Sequence, residues 1–366
     1  MKKKIGIITL NGYKNFGNRL QNYALQETLK NLGFDVETVR TYENESLKRK
    51  AYKMLMFLKI IGKINPKYRE SQKLDNLRTN RFKIFSETRI SETSQIINNA
   101  ALSSIADDYD YFVVGSDQVW NPSYIRNNST FFLTFASKQK RIAYAPSFGT
   151  EIIPEQLKTR YSEWLKGINC LSVREYAGRQ IIQELTGLEV PVLIDPTLLI
   201  DKEKWLSISK SAKYKPSGKF LLIYFLGDAY NNHYENIKRI AEKYQLTIIN
   251  LADMNDSMRF DTDPSEFIDY INNATIFLTD SFHGAIFSIL LSKPFITFDR
   301  VSNLPSMNSR IDTLLSKFKL ENRKWSNING SSDILNIDFS HVSTILEKER
   351  NKAINYLKTA LSIKEE

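Results

Sequence analysis

The sequence predicts an α/β protein with two Rossmann-like, parallel-sheet domains that face each other across a cleft. Its 366 residues exceed what one ordinary core holds, which indicates about two domains. Apolar strand-like runs alternate with helical patterns twice along the chain, and no repeat or low-complexity linker interrupts them. Because parallel sheets bind ligands outside the carboxyl ends of their strands, we sought site residues in the loops that follow the strands.

The first predicted domain, residues 1–200, opens with the apolar run IGIITL, which predicts a buried strand. A loop, a helix that ends at Gly33 and the strand FDVETVR follow. Further strands are predicted at YDYFVV, RIAYA, LSVR and VPVLI. The loop after the first strand lacks the GxGxxG pattern, so a bound dinucleotide is not implied.

The second predicted domain, residues 201–340, repeats the alternation of strand and helix. Its predicted strands are FLLIYFL, LTIINL, TIFLTD and PFITF, each separated from the next by a helical pattern. Residues 341–366 predict a C-terminal helix.

Positive charge is concentrated in a predicted helical insertion, residues 47–100, of the first domain. Between Leu47 and Arg89 there are thirteen Lys or Arg and three acidic residues, and this excess of ten equals the net charge of the chain. Residues 47–64 mix cations with apolar side chains, a pattern typical of a helix that lies in a membrane interface. The alternative is a helix whose apolar side packs on the first domain. Nucleic acid is not expected as a partner, because no known binding module is present.

Composition excludes several other kinds of site. One cysteine, Cys170, rules out a disulfide framework and a cysteine-based zinc site. No HExxH pattern or comparable cluster surrounds the three histidines, so no metal and no cofactor are expected. The first apolar run has only six residues and no stretch approaches the ~20 residues of a membrane helix, so we expect cytoplasmic residence.

His283 is the leading candidate for chemistry. In TDSFHGAIF it follows a predicted strand and begins a helix, with Gly284 beside it. Unpaired N–H groups and partial positive charge at a helix N-terminus favour a bound phosphate or carboxylate. A nearby anion favours the protonated imidazole, so His283 is a candidate general acid inside an anion site. The alternative is a histidine that caps the helix or packs between the domains.

Arg174, Arg310 and Asp117 are further candidates. Arg174 follows the predicted strand LSVR, where its guanidinium can hold a carboxylate or phosphate through two parallel hydrogen bonds. The alternative is an ion pair with a neighbouring acid such as Glu175. Arg310 begins a helix and is either an anion ligand or an exposed arginine. Asp117 follows a strand and can orient a hydroxyl or accept its proton; the alternative is a turn-capping aspartate.

The order of several motifs resembles the polysaccharide pyruvyl transferase family. These motifs are NFGNRLQNYALQETLKNLG, FVVGSDQVWNP, SVRE, VLIDPTLL, TDSFHGAIFSILLSKPFI and SRIDTLL, and they extend from Ile5 to about Leu315. The family is similar to glycosyltransferases of the two-domain GT-B type. Its characterised members move an enolpyruvyl group from phosphoenolpyruvate to a sugar and close it into a cyclic ketal.

The resemblance implies that Arg174 holds the donor and that His283 holds its phosphate or acts as the acid. From their positions after strands and at helix starts, Ser281, Gly284 and Arg310 are further donor-binding candidates, and Asp117 is a candidate for catalysis beside His283. The acceptor is assigned to polar residues of the first domain, namely Asn15, Asn18, Arg19, Ser116 and Gln118. Ser281 and Phe282 stand where many members have arginine and leucine, which removes one cation from the usual donor site; Arg310 can supply that charge.

The expected function is therefore transfer of a pyruvyl group from phosphoenolpyruvate to a sugar of a cell-surface polysaccharide or its lipid-linked precursor. Two alternatives stay open at this point. One is a nucleotide-sugar-dependent GT-B glycosyltransferase, in which the helix N-terminus at His283 holds a diphosphate. The other is a non-catalytic saccharide-binding or assembly protein with the same fold.

Overall fold

The chain folds around two parallel four-stranded sheets. The computed structural model describes residues 2–41, 66–125, 128–301, 307–328 and 333–363. The first sheet has the strand order β2-β1-β3-β4 and the second the matching order β6-β5-β7-β8. This confirms the predicted fold class, an α/β protein with two Rossmann-like parallel sheets.

The first sheet and its helices alternate along the chain as predicted. Its strands are β1 (Lys4–Ile8), β2 (Asp35–Thr38), β3 (Tyr111–Val114) and β4 (Arg141–Ala143). Its helices are α1 (Phe16–Asn31), α2 (Pro66–Arg89), α3 (Pro122–Ile125), α4 (Glu155–Lys166) and α5 (Tyr176–Thr186). In register, Ile7 of β1 lies between Thr38 and Val113. β1 and β3 are buried along nearly all their length, as central parallel strands require.

The second sheet repeats this pattern after α6 (Lys202–Ile208). Its strands are β5 (Phe220–Tyr224), β6 (Thr247–Asn250), β7 (Ile276–Thr279) and β8 (Phe295–Thr297). Its helices are α7 (Ala229–Tyr244), α8 (Ser257–Phe260), α9 (Pro264–Asn273), α10 (Phe282–Leu290) and α11 (Ser309–Phe318). The helix predicted at the end of the chain is α12 (Val342–Ala360).

Two strands predicted in the first domain, LSVR and VPVLI, are wrong as strands. Each forms only isolated parallel bridges, Ile142 with Cys170 and Val173 with Val192. Val173 donates to the carbonyl of Pro191 and accepts from Leu193, so the pairing is centred on one residue. Pro191 has no N–H with which to extend it. Both segments are nevertheless buried beside β4, which explains their apolar character.

The two domains share an apolar interface built around α1. The ring of Phe16 stacks on Phe267 of α9, with 4.2 Å between ring centroids, and on Phe82 of α2 at 5.1 Å. All three rings are fully buried, and complete burial of each contributes roughly 1.5–3 kcal/mol. Arg78 of α2 adds a polar tie, since its guanidinium donates to the carbonyls of Leu251 and Phe260 in the second domain.

Helix α12 packs back onto the first domain. Arg350 donates to the carbonyls of Leu198 and Ile200, and the Tyr356 hydroxyl donates to the Ala143 carbonyl at 2.9 Å. Glu349 of α12 also pairs with Lys317 of α11 at 2.6 Å, so this helix contacts both domains.

The basic insertion is described only in part. The predicted membrane-contacting segment, residues 47–64, lies outside the described residues. The helix that follows, α2, buries Leu74, Phe82 and Phe85 against the protein, so in this part the apolar side packs inward. In the part of the chain that the structure describes, no helix has both the length and the apolar character needed to cross a membrane.

Candidate functional site

Two helix N-termini, one from each domain, meet at the carboxyl ends of the sheets. Asn15 caps α1, where its side chain accepts from the Asn18 N–H, and Ser281 caps α10, where its hydroxyl accepts from the Gly284 N–H. His283, in the first turn of α10, lies against Gly17 in the first turn of α1. A Cβ at Gly17 would be only 1.9 Å from His283 Nδ1. Only glycine therefore permits this approach of the two helices.

The carboxylate of Asp195 lies at the centre of the site, and sequence reasoning missed its role. Its Oδ2 is 2.6 Å from Arg174 Nη1 and 3.4 Å from His283 Nε2, and it accepts from the Ser116 hydroxyl at 3.0 Å. Burial opposes ionisation, but His283, Arg174 and the Thr197 N–H outweigh it and hold the pKa of Asp195 well below its usual range. The signal was available, because Asp195 belongs to the VLIDPTLL motif.

Arg174 is buried, with only 1% of its side chain exposed, and is partly unpaired. Nη1 is taken by Asp195, while Nε and Nη2 have no hydrogen-bond partner among the described residues. The nearest acids to these two nitrogens are Glu175 at 4.0 Å and Asp117 at 3.8 Å, beyond hydrogen-bonding distance. The ring of Phe282 covers the guanidinium, 4.3 Å from centroid to Cζ. The Arg174 guanidinium thus combines both possibilities raised from the sequence. Nη1 is in an ion pair, and two other N–H groups have no hydrogen-bond partner among the described residues.

Arg310, at the start of α11, is a second buried cation beside the same ring. Its Cζ is 6.0 Å from the Phe282 centroid, and its Nε donates to the Met307 carbonyl at 3.2 Å. Within the described ranges no carboxylate forms an ion pair with it. Burial, together with Arg300 and Arg174, lowers the pKa of Arg310, although Glu175 and Asp117 oppose this shift. A bound anion would supply the missing compensation.

Asp117 ends a chain of buried polar contacts from the first domain. Its carboxylate accepts from Asn18 Nδ2 at 3.2 Å, and Asn18 in turn accepts from Arg19 at 2.9 Å. Arg19 is fully buried and paired with Glu92 at 3.0 Å. The predicted acceptor residue Arg19 therefore has no surface to offer a ligand in this structure and acts on the site through Asn18.

The other predicted residues occupy capping or supporting positions. Gln118 accepts from Asn121 at 2.8 Å and is buried, while Asn15 and Ser281 are helix caps. Gly284 packs against Phe277 and Thr279, where an added Cβ would lie 3.0 Å from each.

Glu175, which is buried, and Arg300, which is half-buried, are two charged residues to which the sequence assigned no role. One oxygen of Glu175 accepts from the Ser147 hydroxyl and the Phe148 N–H, both at 2.9 Å. Burial raises the pKa of Glu175 in spite of Arg174 and Arg310. Arg300 follows β8 and donates to the Asp280 carbonyl at 3.0 Å. Both residues therefore add a charge to the acids and arginines already described at the site.

The site therefore combines buried cations from both domains, two helix N-termini and one imidazole. This arrangement can bind a small dianion and deliver a proton to it. Among the described residues, no group of three or more His, Cys, Asp or Glu side chains is placed to hold a metal ion.

Solved structures that resemble this one are remote in sequence. UDP-GlcNAc 2-epimerase from Neisseria meningitidis is 11% identical with a TM-score of 0.49, and the match covers 99% of this chain and 100% of the epimerase. UDP-GlcNAc 2-epimerase from Methanocaldococcus jannaschii is 14% identical with the same score, over 100% of both chains. Heptosyltransferase II from E. coli is 13% identical with a score of 0.40, over 95% and 99%.

The sequence itself gives the decisive comparison. No curated protein matches the chain. Residues 15–303, however, match the family model for polysaccharide pyruvyl transferase, and this span contains Asp117, Arg174, Asp195 and His283. It covers well over half of the 366 residues. The chain belongs to the polysaccharide pyruvyl transferase family.

Proposed function

We propose that the protein transfers the enolpyruvyl group of phosphoenolpyruvate to a saccharide and closes it into a cyclic ketal. One observation carries the proposal: Arg174 of the first domain and His283 of the second approach the same oxygen of Asp195. In addition, Arg174 Nε and Nη2 and His283 Nε2 are buried without hydrogen-bond partners among the described residues. Three unsatisfied donors in one place favour an anionic ligand.

Phosphoenolpyruvate fits this set of donors by charge and size. It carries a carboxylate and a phosphate on three carbons, and Nε and Nη2 of Arg174 form the planar fork that binds such groups through two hydrogen bonds. Arg310 is the second cation near the Phe282 ring. The N-terminus of α10 adds partial positive charge, although Ser281 already occupies the Gly284 N–H.

The chemistry requires a proton at C3 of the donor and an oxygen nucleophile at C2. In our proposal His283 gives the proton to C3 as a sugar hydroxyl attacks C2. Loss of phosphate, stabilised by the arginines, then lets a second hydroxyl close the ketal. The two hydroxyl protons balance the one gained by C3 and the one that leaves with phosphate. Asp117 is the proposed base, and its contact with Asn18 holds the carboxylate in place.

The acceptor is proposed to be a sugar of a cell-surface polysaccharide or of its lipid-linked precursor. Ser116, Asn18, Asn15 and Gln118 are the proposed acceptor side of the site, with Arg19 in support. Residues 47–64 are the proposed membrane contact of a cytoplasmic enzyme. Co-sedimentation with liposomes that contain acidic lipid at low salt tests this contact, and absence of binding argues against it.

Ligand-dependent thermal stabilisation tests the donor. A ligand that binds the native state raises the unfolding midpoint, so we expect phosphoenolpyruvate to raise it in the wild type and not in Arg174→Ala. Arg239→Ala, which removes an exposed arginine on α7, is the matched control and should respond like the wild type. Stabilisation by UDP or GDP without stabilisation by phosphoenolpyruvate would support a glycosyltransferase instead. Phosphate release that depends on added saccharide tests turnover.

A further inference from the structure

The side chain of Asp195 is held in place by hydrogen bonds within its own segment of the chain. It caps the short 3₁₀ helix Pro196–Leu199, and its Oδ1 accepts from the Thr197 N–H at 3.0 Å and from the Thr197 hydroxyl at 2.7 Å. The side chain has no exposed surface. Its own segment therefore fixes its position, independently of its contacts with more distant parts of the chain.

The second oxygen of Asp195 then joins three separate parts of the chain. Ser116 comes from the loop after β3, Arg174 from the segment that precedes α5, and His283 from α10 of the other domain. Among the described residues, Nε2 of His283 has no hydrogen-bond partner, and the Asp195 carboxylate is the acid within ion-pair distance of it. A bare lone pair facing that carboxylate would be repelled, whereas an N–H would be attracted.

The charges around this contact also favour a proton on Nε2. Arg174 Nη1 lies 2.6 Å from Asp195 Oδ2, and together with His283 it holds the pKa of this carboxyl low in spite of burial. Arg174 faces Asp195 on one side, with Asp117 beyond it, and the buried Tyr144 hydroxyl donates to the neighbouring Ile194 carbonyl.

We propose that Asp195 is a positioning residue that keeps the proton of His283 on Nε2 and holds Arg174 by Nη1, so that Nε and Nη2 stay available to the donor. The consequence for transfer rests on the proposed function, since only then does the imidazolium form of His283 give its Nε2 proton to C3 of phosphoenolpyruvate, which leaves a neutral ring protonated on Nδ1. The location of the proton on the imidazole does not depend on that function.

The protonation state of the imidazole can be observed directly. The chain has three histidines, so long-range ¹H–¹⁵N spectra of histidine-labelled protein contain three ring systems, and His283→Gln assigns the one that disappears. We expect Nε2 of His283 to carry a proton in the wild type, either as the neutral Nε2–H form or as imidazolium. A His283 ring with a bare Nε2 and a protonated Nδ1 overturns the proposal, even if every Asp195 variant fails to fold.

Two variants complete the test. Asp195→Asn replaces one carboxylate oxygen by an amide N–H₂ group, which cannot accept a hydrogen bond from Thr197 or Arg174. We expect the fraction of His283 that is protonated at Nε2 to fall. We also expect kcat/KM for pyruvyl transfer to drop about 100-fold or more. Thr197→Val removes one bond to Oδ1 and leaves Oδ2 untouched, so it should keep the wild-type ring spectrum. An unchanged His283 spectrum in folded Asp195→Asn overturns the proposal. Absence of pyruvyl transfer in the wild type would instead count against the proposed function alone.

Discussion

Gly17 of α1 and His283 of α10 are in direct apposition, with no room for a side chain between them. A Cβ at position 17 would lie 1.9 Å from Nδ1 and 2.3 Å from Cγ of the imidazole. Both atoms belong to a ring that is itself buried, so the ring cannot swing into solvent to make room. The contact joins the first turns of two helices from different domains and fixes how closely these domains approach.

Gly17→Ala should therefore displace His283 from Asp195. We expect a loss of about 1–3 kcal/mol in the free energy of unfolding, as for an overpacked core, and a larger proportional loss of activity. Chemical denaturation and pyruvyl-transfer rates measure the two effects. Gly12→Ala is the matched control, because a Cβ there meets no atom within 4 Å. If Gly17→Ala behaves like Gly12→Ala, the helices are not in contact as described.

Replacing Arg310 with a neutral side chain should stabilise the free protein and weaken binding of the donor. Its buried charge lies near Arg174 and Arg300 and has no carboxylate ion pair among the described residues, so a neutral side chain of similar length removes an unfavourable charge. We expect Arg310→Met to raise the unfolding midpoint of the free protein and to weaken phosphoenolpyruvate binding at least tenfold, about 1.4 kcal/mol. Thermal unfolding and calorimetric titration measure the two effects. A variant that loses stability and binds normally would contradict the assignment of Arg310 to the anion site.

Glu175 should make the protein less stable as the pH rises. Because burial raises its pKa in the folded state, its contribution is fully present below the unfolded value of about 4.3 and is lost as the pH rises through the folded value. Glu175→Gln keeps an oxygen for Ser147 and Phe148 but cannot ionise. We expect the free energy of unfolding of the variant, relative to wild type, to increase between pH 5 and pH 8. A constant difference across this range would show that the pKa of Glu175 is not raised in the folded state.

The positions of Arg174 and His283 could be predicted from the sequence because each lies at a change of local pattern. His283 stands between an apolar strand and a buried, largely apolar helix, and Arg174 follows an apolar run that leads into α5. These local signals predicted that both residues lie at the ends of strands. The segment before Arg174 forms only an isolated bridge, yet Arg174 and His283 both approach Asp195.

The partners of these residues could not be predicted, because they depend on contacts between distant parts of the chain. Asp195 and His283 are separated by 88 positions, and nothing in the local pattern of VLIDPTLL indicates contact with another domain. The burial of Arg19 depends on Glu92, which follows a helix far along the chain. The strand predicted at VPVLI has the right composition, but Pro191 limits its pairing to a single bridge.

The central claim is that Arg174 and His283 hold the same donor molecule, and a double-mutant cycle on phosphoenolpyruvate binding tests it most directly. Calorimetric titration of the wild type, Arg174→Ala, His283→Ala and the double variant gives the coupling between them, with circular dichroism as the check on folding. We expect each single variant to lose most of the binding and the double variant to lose little more, with a coupling of about 1 kcal/mol or greater. If either single variant, correctly folded, binds phosphoenolpyruvate as tightly as the wild type, the two residues do not share a donor and the proposed site is wrong.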